Sequence, residues 1–318
     1  MPNFADRLLA AIDAKGAPIC VGIDPRPDWI PNSFFDVAFK RHGKTPAAVR
    51  DAVRAFCIAV LDVTAAYTPA CKPQVAFFEA LGPEGMLDFA AICAHARKLG
   101  LIVIADVKRG DIGSTAEAYA QGLFGGAVAK GIAMNSLEVD CATINPYLGH
   151  DGVEPFIKGA RQGGGGLFVL ARTSNTGSAE FQELPLAQGG TTVEEVARKI
   201  AEWGKDGIGE RGYSDVGAVV GATHKDAAVR MRQLMPNTLF LVPGYGAQGG
   251  ALETIKACFS EGRGPSASLR TGAIVNSSRG VMHAYAQGPL QKYGEARWRD
   301  AVVEAARDFN NEIGRLVH

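Results

Sequence analysis

Short apolar runs alternate with stretches of helical periodicity from one end of the chain to the other. Residues 18–24 (PICVGID), 70–78 (ACKPQVAFF) and 101–105 (LIVIA) are unbroken enough to be strands covered on both faces, as in a parallel sheet flanked by helices. The same pattern predicts strands at 141–145, 166–171, 216–222, 238–242 and 273–276. Helical patterns occupy the intervals: 5–15, 46 to about 67, 83–99, 114 towards 130, 151–162, 192–206, 224–235, 248–260 and a last one near 294–316. Thr45-Pro46 supplies an N-cap and a proline at the first helical position, while Ser114 with Glu117 and Thr192 with Glu195 have capping-box spacing. Eight strands, each followed by a helix, imply an α/β protein whose parallel sheet closes into a (β/α)8 barrel. No linker divides residues 1–318, so a single domain is expected, with an irregular, proline-bearing insertion at 26–45.

Composition narrows the function classes. Lys plus Arg and Asp plus Glu each total 33, so no net field favours nucleic acid or an anionic membrane. Hydrophobic residues at 47% and charged residues at 21% suit a globular protein with a sizeable core. The first residues lack the basic start and long apolar stretch of a secretory signal, and no apolar run approaches the roughly 18–20 residues that span a bilayer. Cysteines 20, 57, 71, 93, 141 and 258 form no C-x-x-C and sit in apolar surroundings, which predicts buried reduced thiols and a cytoplasmic location.

Candidate chemistry gathers where the strands end, because that face of such a barrel carries the active site. The ends supply Asp24, Lys72, the set Asp106, Lys108 and Asp111, then Asn145, Ser174, Thr223-His224, the glycine-rich 243–250 (PGYGAQGG) and 276–280 (NSSRG). Residues two apart in a strand point the same way, so Asp106 and Lys108 are aimed at one place. An ammonium flanked by carboxylates has its charged form favoured. That argues against a Schiff-base lysine, which must be neutral, and for a permanent cation that stabilises a carbanion and hands it a proton. The loops after strands seven and eight are the recurrent phosphate site of the fold; Gly244, Ser278, Arg279 and Gly280 lie there, and Arg279 offers a two-pronged fork for phosphate. Asn145 is a candidate contact, although an Asn-Pro turn explains it as well. The glycines at 163–166 stand at the opposite end and are expected to form a flexible loop, while His42, His95, His150, His224 and His283 show no metal-ligand spacing and are expected at surface or capping positions. Phe34, Phe35 and Phe39 are expected to pack in the core or insertion.

Taken in order, VGIDP at 21–25, KPQVAFFE at 72–79, DVKRGDIGSTAEAY at 106–119, ARTSN at 171–175, VVGAT at 219–223, VPGYGAQGG at 242–250 and NSSRG at 276–280 resemble the orotidine 5'-phosphate decarboxylase family, in its longer bacterial branch. The resemblance implies decarboxylation of orotidine 5'-phosphate to UMP and CO2 with no cofactor or metal. It assigns Lys108 as proton donor to C6, Asp106 to the side of the departing carboxylate, Lys72 as the link between ribose and charged network, and Asp24 to a ribose hydroxyl. Ser174 becomes the pyrimidine contact and Gln248 and Arg279 the phosphate contacts. Asp111 and Thr115 would act across a homodimer, reaching the neighbouring subunit's site. Segments 26–45 and 177–191 look like insertions relative to the shorter branch. The rival readings are a Mg²⁺-dependent sugar-phosphate enzyme of similar barrel and motif, or a protein that merely captures a nucleotide. Clustered lysines oppose the first, and a charge cluster that binding alone does not need opposes the second.

Overall fold

The computed structural model describes residues 2–221, 225–244, 252–260 and 270–318. Eight parallel strands close a barrel: β1 (Ile19–Ile23), β2 (Ala70–Pro73), β3 (Ile102–Arg109), β4 (Cys141–Ile144), β5 (Gly166–Arg172), β6 (Ser214–Val220), β7 (Thr238–Val242) and β8 (Ala273–Ser277). Each pairs with its predecessor, and closure comes where Ile19 of β1 sits opposite Val275 of β8. Around them run α1 (Phe4–Lys15), α2 (Asn32–His42), α3 (Pro46–Thr64), α4 (Gly85–Lys98), α5 (Gly113–Phe124), α6 (His150–Gln162), α7 (Thr192–Gly204), α8 (Lys225–Leu234), α9 (Leu252–Ala257) and α10 (Trp298–Val317). Thr45 caps α3 as expected, its side chain accepting from the Ala48 amide at 3.3 Å, with Pro46 in the first turn.

Alternation along the strands sorts the core into two parts. Ile19, Val21, Ile23, Val103 and Ala105 pack outward under the helices, whereas Cys20, Ala70, Ile102, Ile104, Cys141, Phe168, Leu239, Leu241 and Ile274 meet inside the barrel. Phe4, Ala5, Leu8 and Leu9 of α1 join the inner group, so α1 is a plug across the N-terminal ends of the strands. Phe4 meets Phe168 edge-on at 6.2 Å. Around the plug, Arg7 holds Asp140 at 2.8 Å, and Asp6 accepts the amides of Glu210 and Arg211 at 2.9 Å. With the lower end filled, only the C-terminal end remains for chemistry.

Several boundaries differ from the sequence expectation. The strand expected over 70–78 stops at Pro73, which cannot donate to the ladder, and Ala76–Glu79 turns helical with Phe78 buried against Phe89. The segment 26–45 is not irregular: its prolines precede α2, whose Phe34 packs on Phe56 and Trp298. The helix expected to run towards 130 ends at Gly125, and a small hairpin (Val128–Ala129 with Ile132–Ala133) follows. Neither later capping box forms as expected, because the extended residues that open α5 and α7 are Ile112 and Thr191; Glu195 bonds Arg198, while Glu194, one position earlier, bonds Arg230 and the backbone of Thr191. Nor do the glycines at 163–166 form a loose loop throughout. A Cβ on Gly165 would stand 2.8 Å from the Asp140 carbonyl, and one on Gly166 2.3 Å from the Phe4 ring, so both allow close packing, Gly166 against the plug.

Leu8 is fully buried within the plug. Leu8→Ala should therefore lower unfolding free energy by about 2–5 kcal/mol in a denaturant titration. A loss within about 0.5 kcal/mol would be the behaviour of a surface site and would detach α1 from the barrel core.

Candidate active site at the strand ends

One inward position above the apolar filling, the side chains become polar: Lys72 follows Ala70, Asp106 follows Ile104, Thr143 follows Cys141 and Asn276 follows Ile274, and all four are buried. Asp106 is the centre. Its Oδ2 accepts from Lys72 Nζ at 2.5 Å and its Oδ1 from Lys108 Nζ at 2.5 Å, so the pairing expected from the D-x-K spacing is present. The lysines differ in access: the Lys72 side chain is 7% exposed and that of Lys108 48%. Burial alone would push Lys72 towards the neutral amine, but the Asp106 and Asp24 carboxylates outweigh it and hold the group above the usual lysine range. Burial likewise opposes ionisation of Asp106, yet the two ammonium groups and their hydrogen bonds keep it below the usual carboxylate range. Such a cluster is weak support for stability and a good marker of function.

Thr143, which the sequence reading did not single out, completes the setting. Its hydroxyl lies 3.0 Å from Asp106 Oδ1 and 3.0 Å from the amides of Val107 and Lys108. There β3 leaves the regular ladder, and Lys108 has a φ of +45°. The inward parity of Cys141, Thr143 and Asn145 was the signal available.

Asp24 follows β1 directly, and its Oδ1 is buried without a hydrogen-bond partner among the described residues, as is Oδ1 of Asn276. Gly22 is required beside them, since a Cβ there would fall 1.9 Å from the Ser278 hydroxyl. His283, expected at the surface or a cap, is instead fully buried. Its Nε2 lies 3.3 Å from the Asp24 carbonyl, and its ring stacks on Phe56 and meets Trp29 edge-on. Burial pushes this imidazole down to about 4, against the hydrogen bond to Asp24.

The remaining candidates are not all gathered at this centre. Asp111 accepts from the Ile112 amide at 2.8 Å, and Thr115 is exposed on the first turn of α5; within one chain neither joins Asp106. Within one chain the charges gathered here are Lys72, Asp106 and Lys108, with the Asp24 carboxylate acting on Lys72 and Asp111 apart. Asn145 uses its Oδ1 to accept from the Tyr147 amide at 3.0 Å, the turn reading. Ser174 lies against Gly221 at the end of β6. Gly244 has the left-handed φ of +86° of a tight turn after β7. Arg279 and Gly280 line a cavity of about 380 Å³ with Leu290. Gln248, with Thr223, His224 and most of the glycine-rich stretch, lies outside the described residues. All six cysteines are buried and unpaired. Among the described residues no group of three His, Cys, Asp or Glu side chains is placed to hold a metal ion, and no helix is long and apolar enough to cross a membrane.

Residues 17–290 match the model of the orotidine 5'-phosphate decarboxylase / HUMPS family. An orotidine 5'-phosphate decarboxylase of Rhodopirellula baltica is 40% identical over 315 residues, covering 98% of this chain and 99% of the relative. One of Caldicellulosiruptor bescii is 39% identical over 285 residues, covering 90% and 91%. The solved structure of the Leishmania donovani OMP decarboxylase superposes with a TM-score of 0.70 at 30% identity, covering 99% of this chain and 98% of that one.

The buried imidazole makes a pH prediction. Folded His283 stays neutral down to about 4, while the unfolded chain takes up the proton near 6.5, so between these values the unfolded state binds more protons. Stability should therefore fall as pH drops through that window, with His283 contributing up to about 3 kcal/mol of the loss. His283→Gln should show a shallower decline in denaturant midpoints between the same pH values. An unchanged slope would remove the imidazole as its source.

Proposed function

This chain belongs to the orotidine 5'-phosphate decarboxylase / HUMPS family, and we propose that it converts orotidine 5'-phosphate to UMP and CO2 in pyrimidine synthesis, as a carboxy-lyase that uses neither metal nor cofactor. The observation that carries the reading is the Lys72–Asp106–Lys108 array at the barrel mouth, in which one ammonium is buried and the other half-exposed. When the bond from C6 to the carboxylate breaks, the electron pair stays on C6 in an in-plane sp² orbital that the ring cannot delocalise. A fixed ammonium is then the available stabiliser, and Lys108 Nζ transfers its proton to C6. Asp106 Oδ1 holds the amine throughout, and the amine recovers a proton from solvent. Lys72, too buried for that exchange, ties Asp106 to the ribose side, where the unpartnered Asp24 Oδ1 is suited to accept from a ribose hydroxyl.

The rest of the assignment is distributed around the mouth. Ser174 contacts the pyrimidine; Gly244, Gln248, Ser278, Arg279 and Gly280 hold the phosphate, whose remote binding energy can be spent on closing the site. Asp111 and Thr115 serve the neighbouring subunit of a homodimer. Exposed apolar side chains next to them in the chain, Ile112 and Tyr119, support that face being covered by a second copy. A single domain in the cytoplasm, with its thiols reduced, completes the reading.

The decisive experiment follows the ultraviolet absorbance of orotidine 5'-phosphate with and without EDTA. Turnover should be equal in both; loss of turnover in chelator would favour a metal-dependent reaction. Lys108→Ala should lower kcat by at least about 10³-fold while UMP affinity changes little. Retained turnover would take the proton transfer away from this lysine. Mixing inactive Asp106→Ala and Asp111→Ala chains should restore part of the activity, because one of the two sites in a mixed dimer is then whole. Verified heterodimers without activity would confine each site to one chain.

A further inference from the structure

We infer that Thr143 is the positioning residue that aims Lys108, an assignment that rests on the decarboxylase reading. In the pairing of β3 with β4, Ala105 lies opposite Ala142 and Arg109 opposite Ile144. Three residues of β3, Asp106 to Lys108, therefore face the single residue Thr143. This is an enlarged bulge, the kind of irregularity that re-aims a side chain next to an active site. In a flat strand successive amides point to opposite sides. Here the amides of Val107 and Lys108 converge on one oxygen, Thr143 Oγ1, at 3.0 Å each.

A hydroxyl has one proton to give and two lone pairs to accept with. At Thr143 all are in use: the lone pairs take the two amides, and the proton goes to Asp106 Oδ1 at 3.0 Å. That oxygen is the one that holds Lys108 Nζ. One buried atom therefore fixes both the backbone from which the lysine springs and the carboxylate to which its ammonium is tied. The Lys108 backbone, at a φ of +45°, is a conformation that a side-chain-bearing residue keeps only when its surroundings impose it. Thr143 is 1% exposed, so water does not readily take over the hydroxyl's place, and its branched Cβ limits the rotamers available to the oxygen.

Thr143→Val keeps the shape and deletes the hydroxyl; Thr143→Ser keeps the hydroxyl. With orotidine 5'-phosphate as substrate, Thr143→Val should lose kcat on the order of 100-fold, the cost of a misplaced reacting group. Its KM and UMP affinity should stay within about threefold of wild type, as for an interaction made only in the transition state. Thr143→Ser should recover to within about tenfold of wild type. A Thr143→Val enzyme with unimpaired kcat, a parallel loss of UMP affinity, or a serine variant no better than valine would overturn the assignment. Amide hydrogen exchange at Val107 and Lys108 needs no substrate: it should accelerate when the hydroxyl is lost and stay slow in Thr143→Ser. If the valine variant does not fold, Thr143→Cys replaces it in both measurements, a thiol being a poor acceptor, and parity of Cys with Ser overturns the proposal. A wild-type chain that fails to decarboxylate sinks the reading of the reaction, whereas unaltered exchange sinks the role of Thr143 alone.

Discussion

A carboxylate buried at the mouth of a barrel can remain charged only if the protein replaces the water it has lost. Asp106 is that carboxylate, and its two oxygens are spoken for by Lys72, Lys108 and Thr143. Desolvation pulls it towards the neutral acid, and the ammonium groups prevail. An apolar layer at the same height would cost less to bury, since charged clusters in interiors are seldom the most stable filling. For the proposed reaction the arrangement makes sense as preorganisation: charges fixed before the substrate arrives need no reorganisation when negative charge develops.

That electrostatic centre depends on parity and on closure. Each strand places alternate residues inside, so the apolar positions Ala70, Ile104, Cys141 and Ile274 automatically put Lys72, Asp106, Thr143 and Asn276 on the same inner surface one step higher. A one-residue slip in any strand would send its polar group under the helices and bring an apolar residue to the mouth. The α1 plug ties Phe4 and Leu8 into the same inner column, which fills the barrel from below. The lower end is thus filled with apolar side chains, and the polar layer stands at the other.

The strands were legible because each rests on short-range regularity, an apolar run of the right length; the D-x-K spacing kept its two charges close, but a bulge rather than simple parity directs Lys108. What escaped the sequence depended on partners far along the chain. Thr143 reads as one more β-branched residue in CATIN until its register against β3 is known. His283 looks like a loop histidine, and only the folding of Phe56, Trp29 and Tyr285 around it makes it a buried neutral group beside Asp24. Ser114 and Thr192 have capping-box spacing, but each lies inside its helix, because the preceding elements place the extended residue at Ile112 and Thr191. The glycines at 163–166 looked like a soft linker, since composition does not reveal that Phe4 presses on Gly166.

In the proposed reaction the proton transfer falls to Lys108 rather than Lys72, and the same geometry supports that choice. Both ammonium groups lie 2.5 Å from Asp106, so distance to the carboxylate does not distinguish them. Their surroundings do. Lys72 feels a second carboxylate, Asp24, and is enclosed by the barrel; a neutral amine there would leave Asp106 and Asp24 facing each other with less compensation, and solvent has poor access to restore the proton. Lys108 springs from a bulge, is tethered to Asp106 by one oxygen, and has nearly half of its side chain open to the mouth. It can give a proton to a neighbour and take one back from water without disturbing the buried pair beneath it. The strand irregularity that separates the two lysines in access is what the proposed division of their roles rests on.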